Sequence, residues 1–184
     1  MKVVAVLGSP RKEANSSKLV QAAVGALPQA GLEVQNFELN RLKYQGCQAC
    51  MACKGQSDIC VLKDDLTPLL AAVAEADLVI MASPVYIGEI TGQLKCCIDR
   101  FFSYMAPAGA PARLAPGKKM LLVLTHGAPD QAAYEKPVLG HYSGFFTGLG
   151  FQVSHFIAPG QGPDDITAQR PEQVKALTDQ VAAL

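Results

Sequence analysis

The amino-acid sequence predicts a three-layer α/β domain: a five-stranded parallel sheet covered by helices on both faces, in one unit over residues 1–184. Two observations carry this expectation. Five apolar runs of five to seven residues, rich in Val, Ile, Leu or Phe, recur along the chain, and strands buried on both faces of a parallel sheet read this way. Longer amphipathic runs separate them, and strands alternating with helices over one domain imply parallel pairing through helical crossovers. A chain of 184 residues that is 49% hydrophobic has enough apolar material for one full core.

The first strand is Val3–Leu7, followed by a helix over 15–29 with Leu19, Ala22, Ala23, Ala26 and Leu27 at helical spacing. The second strand, Glu33–Leu39, leads into an irregular stretch over 41–63 that holds four of the six cysteines. A helix over 64–76, with Asp64 and Asp65 as its capping residues, precedes the third strand, Leu78–Ala82. The helix over 90–105 sets Leu94, Cys97, Ile98, Phe101 and Phe102 on one face, with Cys96 and Cys97 read as small buried residues. A Pro-, Ala- and Gly-rich connection over 106–118 follows, then the fourth strand, Met120–Thr125, a helix over 131–149, the fifth strand, Gln152–Ile157, and a last helix over 171–183. Loops longer than about 12 residues inside a compact domain are mostly functional or mobile, which singles out 41–63 and 106–118.

Sixteen basic residues balance sixteen acidic ones. A neutral, apolar-rich chain is neither disordered nor supplied with the basic footprint a nucleic-acid binder needs. No apolar run approaches the ~18 residues of a membrane span. The opening Met-Lys-Val-Val-Ala-Val-Leu-Gly is too briefly apolar for a signal-peptide core, so the expected location is the cytoplasm.

The first strand ends in Gly8-Ser9-Pro10-Arg11 and a helix start at Asn15-Ser16-Ser17, any of which suits the N-cap. A helix N-terminus offers free N–H groups and a positive dipole end to a phosphate; Ser9, Ser16 and Ser17 add hydroxyls and Arg11 a charged donor. Neither Gly-x-x-x-x-Gly-Lys-Ser/Thr nor Gly-x-Gly-x-x-Gly occurs in this turn, so nucleotide-triphosphate and dinucleotide loops are not supported. The third strand runs into Pro84-Val85-Tyr86-Ile87-Gly88. In a flavodoxin-like sheet of order 2-1-3-4-5 this loop and the phosphate loop face one crevice at the topological switch point, and Thr125-His126-Gly127 after the fourth strand closes the same side. A phosphate loop beside a loop of Pro, Gly and an aromatic suits a mononucleotide with a flat ring, FMN above all. An ordinary capped helix and a packed loop tyrosine are the plainer alternatives for each piece alone.

Gly8-Ser9-Pro10-Arg11 with Asn15-Ser16-Ser17, Pro84-Val85-Tyr86 through Leu94-Lys95, and Asp99-Arg100-Phe101 together resemble the NADPH-dependent FMN reductase family over nearly the whole chain. The resemblance implies FMN phosphate held by Ser9, Arg11, Ser16 and Ser17, with the ring against residues 84–88. It also implies a homodimer or homotetramer.

The spacing Cys47-x2-Cys50-x2-Cys53-x6-Cys60 brings four thiols to a short loop. Iron–sulfur clusters take four thiolates at such close intervals, whereas tetrahedral zinc sites use two separated Cys-x2-Cys pairs; here the pairs share Cys50. The motif resembles that of the iron–sulfur flavoproteins, a branch of the same family, which implies a 4Fe–4S cluster near the FMN. Free thiols, a reversible disulfide and zinc are the alternatives. His141 and His155 are read as structural, and His126 as a residue of the crevice. No side chain is assigned an acid–base role, because the cofactor would carry the chemistry.

The leading expectation is therefore an electron-transfer oxidoreductase working with ferredoxin-like or small-molecule partners. Two alternatives stand beside it: a cluster-free flavin or quinone reductase with NAD(P)H as transient donor, and a redox-signalling module that catalyses little.

Overall fold

Successive residues of a strand face opposite sides of a sheet, and the core of this protein divides accordingly. The computed structural model describes residues 1–110, 113–130, 132, 134–160, 162 and 164–184. In β1 (Lys2–Leu7), Val3, Ala5 and Leu7 join one buried cluster and Val4 and Val6 the other. The same alternation runs through β3 (Leu78–Pro84) and β4 (Lys119–Thr125). With β2 (Glu33–Glu38) and β5 (Gln152–Ala158) these form a five-stranded sheet in the order β2-β1-β3-β4-β5, all neighbours parallel, as expected.

One face is covered by α1 (Asn15–Gly25) and α6 (Pro171–Ala182), the other by α2 (Leu66–Glu75), α3 (Gly92–Arg100) and α4 (Gly140–Gly148). Leu19, Leu66, Leu69 and Phe146 are fully buried between the layers, each contributing roughly 1.5–3 kcal/mol by leaving water.

Several boundaries differ from the sequence expectation, for local reasons. The outer strands β2 and β5 are half exposed rather than buried on both faces, because each has a single neighbour in the sheet. The first helix stops at Gly25 instead of 29, ahead of Pro28, which cannot continue it. The expected helix over 90–105 is α3 followed by a 3-10 turn, Phe101–Tyr104. Positions 131 and 133 of the expected helix over 131–149, like 111 and 112 of the connection over 106–118, lie outside the described residues. The remainder begins as a π-helical turn, Glu135–Leu139, before α4. A short helix not foreseen, α5 (Ile166–Gln169), is capped by the Asp165 carboxylate, which accepts from the Thr167 N–H at 2.9 Å.

Between β2 and α2 the chain leaves the sheet, and the stretch 41–63 carries little regular structure beyond a 3-10 turn, Ala52–Lys54. At the carboxyl end of β1, Gly8 donates its N–H to the Ala82 carbonyl at 2.8 Å, and the Thr91 hydroxyl donates to the Gly8 carbonyl. Thr91 also accepts from the Leu94 N–H at 3.3 Å, so it caps α3 while docking that helix on the loop after β1. A Cβ at position 8 would stand 2.8 Å from Leu94 Cβ and 3.1 Å from the Ala82 carbonyl oxygen. Gly8→Ala is therefore expected to destabilise the fold by about 1–3 kcal/mol through overpacking, read as a lower urea midpoint with an unchanged slope.

Candidate functional site

The carboxyl ends of β1, β3 and β4 open onto one crevice. Ser9, Arg11, Asn15 and Ser16 line it from the loop after β1 and the start of α1, Pro84, Val85 and Tyr86 from the end of β3 and its loop, and Thr125, His126 and Gly127 from the end of β4 and its loop. Ten of the thirteen residues expected at a cofactor site meet there. Gly162, from the loop after β5, also lines the crevice; no motif marked it.

The helix start differs from expectation. The N-cap position of α1 is Ala14, with no side-chain cap. Asn15 is already helical, and its amide instead ties down the loop after β5, donating to the Gly162 and Asp164 carbonyls at 3.2 and 2.8 Å and accepting from the Ile166 N–H at 3.1 Å. The first intrahelical bond runs from the Lys18 N–H to the Ala14 carbonyl, so the N–H groups of Asn15, Ser16 and Ser17 have none within the helix. Ser16 is 1% exposed and its hydroxyl has no hydrogen-bond partner. A buried hydroxyl without a partner is costly; here it sits at the positive end of a helix, beside Ser9 and the exposed Arg11. That combination fits a phosphate. Ser17 is not among the residues that line this crevice; it borders an adjoining basin that Ser9 and Arg11 share, with Lys12, Glu38 and Arg41.

His126 is the second such group: it is 4% exposed, and neither ring nitrogen makes a well-formed hydrogen bond, although the Ala128 backbone bears on the charge of the ring. Burial lowers its pKa from the ordinary histidine value, opposed only in part by the Ala128 backbone and Asp130, so the ring is neutral at pH 7. It packs edge-on against Tyr134, centroids 4.8 Å apart. A neutral imidazole presents one donor and one acceptor, which fits the polar edge of a flat heterocycle.

Ile87 and Gly88 do not line the crevice. They form the tip of a tight hairpin closed by Tyr86 N–H to Glu89 carbonyl, 2.8 Å, and its reverse, 3.1 Å. Both tip residues are left-handed, with φ of 51° and 78°, and Ile87 is completely exposed. A β-branched residue is strained in that region, whereas Asn-Gly is the favoured pair for such a turn.

The four cysteines of the 41–63 stretch line one pocket, together with Arg100, Phe102 and Ser103. Cys53 is buried, Cys60 half-buried, and Cys47 and Cys50 exposed; none is in a disulfide. Ala49 and Met51 flank Cys50 in left-handed conformation, φ 51° and 59°. Single strained residues of this kind cost about 1–3 kcal/mol and cluster at ligand clamps. Among the described residues, no three His, Cys, Asp or Glu side chains close around a point as a single ion demands; tetrahedral zinc would need its sulfurs within ~4 Å of one another. Four thiols lining one pocket are the soft donor set that an iron–sulfur cluster or a tetrahedral zinc ion takes. Of the other two cysteines, Cys97 is buried, which raises its thiol pKa to about 12, whereas Cys96 is exposed, against expectation, at the edge of α3 beside Gly46.

Arg100 fills the base of the pocket. Its side chain is fully buried; Nε donates to Cys60 Sγ at 3.1 Å, Nη1 to the Gln45 carbonyl at 2.9 Å and Asp64 Oδ2 at 2.7 Å, and Nη2 to the Leu62 carbonyl at 3.3 Å and Asp64 Oδ1 at 3.3 Å. Asp64 thus serves two elements, also accepting from the Leu66 N–H at the start of α2 at 3.1 Å. Asp65, expected as a cap, makes no capping bond and instead accepts from the Lys43 N–H at 2.7 Å. Burial works against ionising Asp64, but Arg100 and the Gln45 and Leu66 N–H groups outweigh it and hold the carboxyl below its ordinary value.

A family model described as NADPH-dependent FMN reductase matches residues 1–154. An iron–sulfur flavoprotein from Archaeoglobus fulgidus is 34% identical over 166 residues, 90% of this chain and 73% of that protein. One from Methanosarcina thermophila is 37% identical over 100 residues, 54% of this chain and 52% of that protein, so the match spans about half of that relative. Among solved structures, an NAD(P)H:quinone oxidoreductase from Methanothermobacter marburgensis superposes with a TM-score of 0.77 over 97% of this chain and 93% of that one, at 17% identity, a likeness of fold.

Two outcomes follow from the site geometry. Ile87→Asn relieves the strained hairpin tip and is expected to raise stability by about 1 kcal/mol, measured as a higher urea midpoint. Asp64→Asn breaks a buried pair and is expected to cost about 3–5 kcal/mol at neutral pH. Because the folded-state pKa of Asp64 lies below the ordinary 3.8, the unfolded chain takes up that proton first on acidification. The stability Asp64 contributes is present above pH 3.8 and lost below it, so unfolding curves of wild type and variant should converge in acid.

Proposed function

The chain belongs to the NADPH-dependent FMN reductase family of flavin-dependent oxidoreductases, in its iron–sulfur flavoprotein branch, and on that premise we propose that it is a redox protein carrying FMN in the crevice and a 4Fe–4S cluster in the cysteine pocket. What most supports the reading is the convergence of Cys47, Cys50, Cys53 and Cys60 on one pocket, held apart from a crevice with an unpartnered buried hydroxyl. FMN, when bound, exchanges a hydride or two single electrons, and the cluster one electron at a time, so the pair would connect two-electron and one-electron partners.

The protein's own residues bind and orient. Ser9, Arg11, Ser16 and the α1 N-terminus would hold the phosphate. Pro84, Val85 and Tyr86 would border the ring, with His126 and Thr125 at its polar edge. The four thiolates would ligate the cluster, with Arg100 fixing Cys60. No side chain is given a proton to transfer. The whole chain, 1–184, serves as one FMN-binding domain in a homodimer or homotetramer. Its electron donor or acceptor is NAD(P)H, another small molecule or a ferredoxin-like protein. Among the described residues no helix is long and apolar enough to cross a membrane.

The test is the absorption spectrum of anaerobically purified protein, with iron, acid-labile sulfide and FMN assayed on the same sample. The expected outcome is flavin with about four irons and four sulfides per chain. Flavin without iron, even after anaerobic reconstitution, would leave an NAD(P)H-driven reductase. No flavin with FMN added would overturn the proposal.

A further inference from the structure

Among the described residues, Cys60 is the one thiol of the four whose sulfur receives a hydrogen bond, and the donor is a fully buried guanidinium 3.1 Å away. The other three sulfurs have no such partner. Cys60 also stands apart in sequence, seven positions after Cys53. The guanidinium cannot swing away from it: the Gln45 and Leu62 carbonyls and both Asp64 oxygens occupy its remaining donors.

We propose, resting on the cluster reading above, that Arg100 is a positioning residue for that cluster: it fixes Cys60 as the distinct ligand, and its Nε–H and charge set the reduction equilibrium of the bound group. Hydrogen bonds to ligand sulfurs and nearby net charge are among the levers by which a protein tunes a cluster. Adding an electron adds negative charge at the sulfurs, and a fixed positive donor whose own side chain is fully buried favours that state. Asp64 opposes the effect, since its carboxylate lies on the far side of the same guanidinium, 2.7 Å from Nη1.

This opposition separates tuning from mere scaffolding. A purely structural Arg100–Asp64 pair would loosen the loop whichever partner was removed, and both losses would move the potential the same way. An electrostatic role predicts opposite signs. The experiment is an anaerobic redox titration of the reconstituted protein, following the cluster by its visible and paramagnetic signals, with iron counted on every sample. Arg100→Gln is expected to weaken reduction about tenfold, a shift of about 59 mV to lower potential for a one-electron couple. Arg100→Lys keeps the charge and should fall between that variant and wild type. Asp64→Asn should shift the potential upward, and it tests the proposal if Arg100→Gln fails to fold. Arg100→Gln with full iron and a reduction constant within twofold of wild type would overturn the inference, as would Arg100→Gln and Asp64→Asn shifting in the same direction. A wild type that takes up no iron or sulfide fails differently: the cluster reading falls, and this one with it.

Discussion

A guanidinium that is 1% exposed cannot be left unanswered, because an uncompensated buried charge costs several kcal/mol. In this protein the answers come almost wholly from the cysteine loop. Arg100 collects two of its carbonyls, one of its thiols and the carboxylate that ends it. That single requirement explains why some twenty residues with little regular structure hold a definite course. Two further cations tie down the loop's outer turns. Lys54 donates to the Phe102 and Met105 carbonyls and lies 4.0 Å from the centre of the Phe102 ring, and Arg113 reaches Asp58 and the Ser103 carbonyl. The outer ties are weaker: Asp58 is 96% exposed, and water and salt screen such a pair.

The crevice is organised on another principle. Its contributors come from the ends of three adjacent parallel strands, a geometry the strand order alone dictates. The loop after β5 completes it, held over α1 by Asn15, Lys18 and Arg170: Lys18 pairs with Asp165 at 2.6 Å, and Arg170 donates to the Pro159 and Gly160 carbonyls. These ties spend polar groups on holding the loop, whereas the buried Ser16 hydroxyl has no partner. Which polar groups are spent on structure and which stay free is visible only once the loops are in place.

The strand order, the switch-point crevice and the convergence of the four cysteines were legible in the sequence because each rests on a local pattern: apolar runs, a polar turn before a helix, a tight thiol spacing. What escaped was long-range. Asn15 looked like a helix cap because Asn commonly is one, yet its partners are about 150 residues away, at Gly162 and Asp164. Ser17 belonged to the phosphate motif by adjacency, but a helix turns each successive residue by ~100°, and that rotation takes it out of the crevice. Arg100 stood inside a recognised motif without a role, since nothing local to Asp99-Arg100-Phe101 reveals that residues 45–64 wrap around its tip. β2 and β5 read as buried because composition alone does not distinguish a central strand from an edge.

Helix α3 touches both regions. Thr91 and Leu94 press its first turn onto Gly8 at the crevice, and Arg100 ends it in the cysteine pocket. Nine residues at 1.5 Å each make a strut of ~13 Å, and this strut, rather than any loop, sets how far apart the two regions stand. Loops tolerate insertion because they absorb it. A strut does not: one residue added to α3 would lengthen it by only ~1.5 Å but rotate everything beyond by ~100°, turning the guanidinium out of the thiols' reach while the crevice end stayed seated. In this architecture the surface connections are free to drift in length, and the residue count of a single short helix is not.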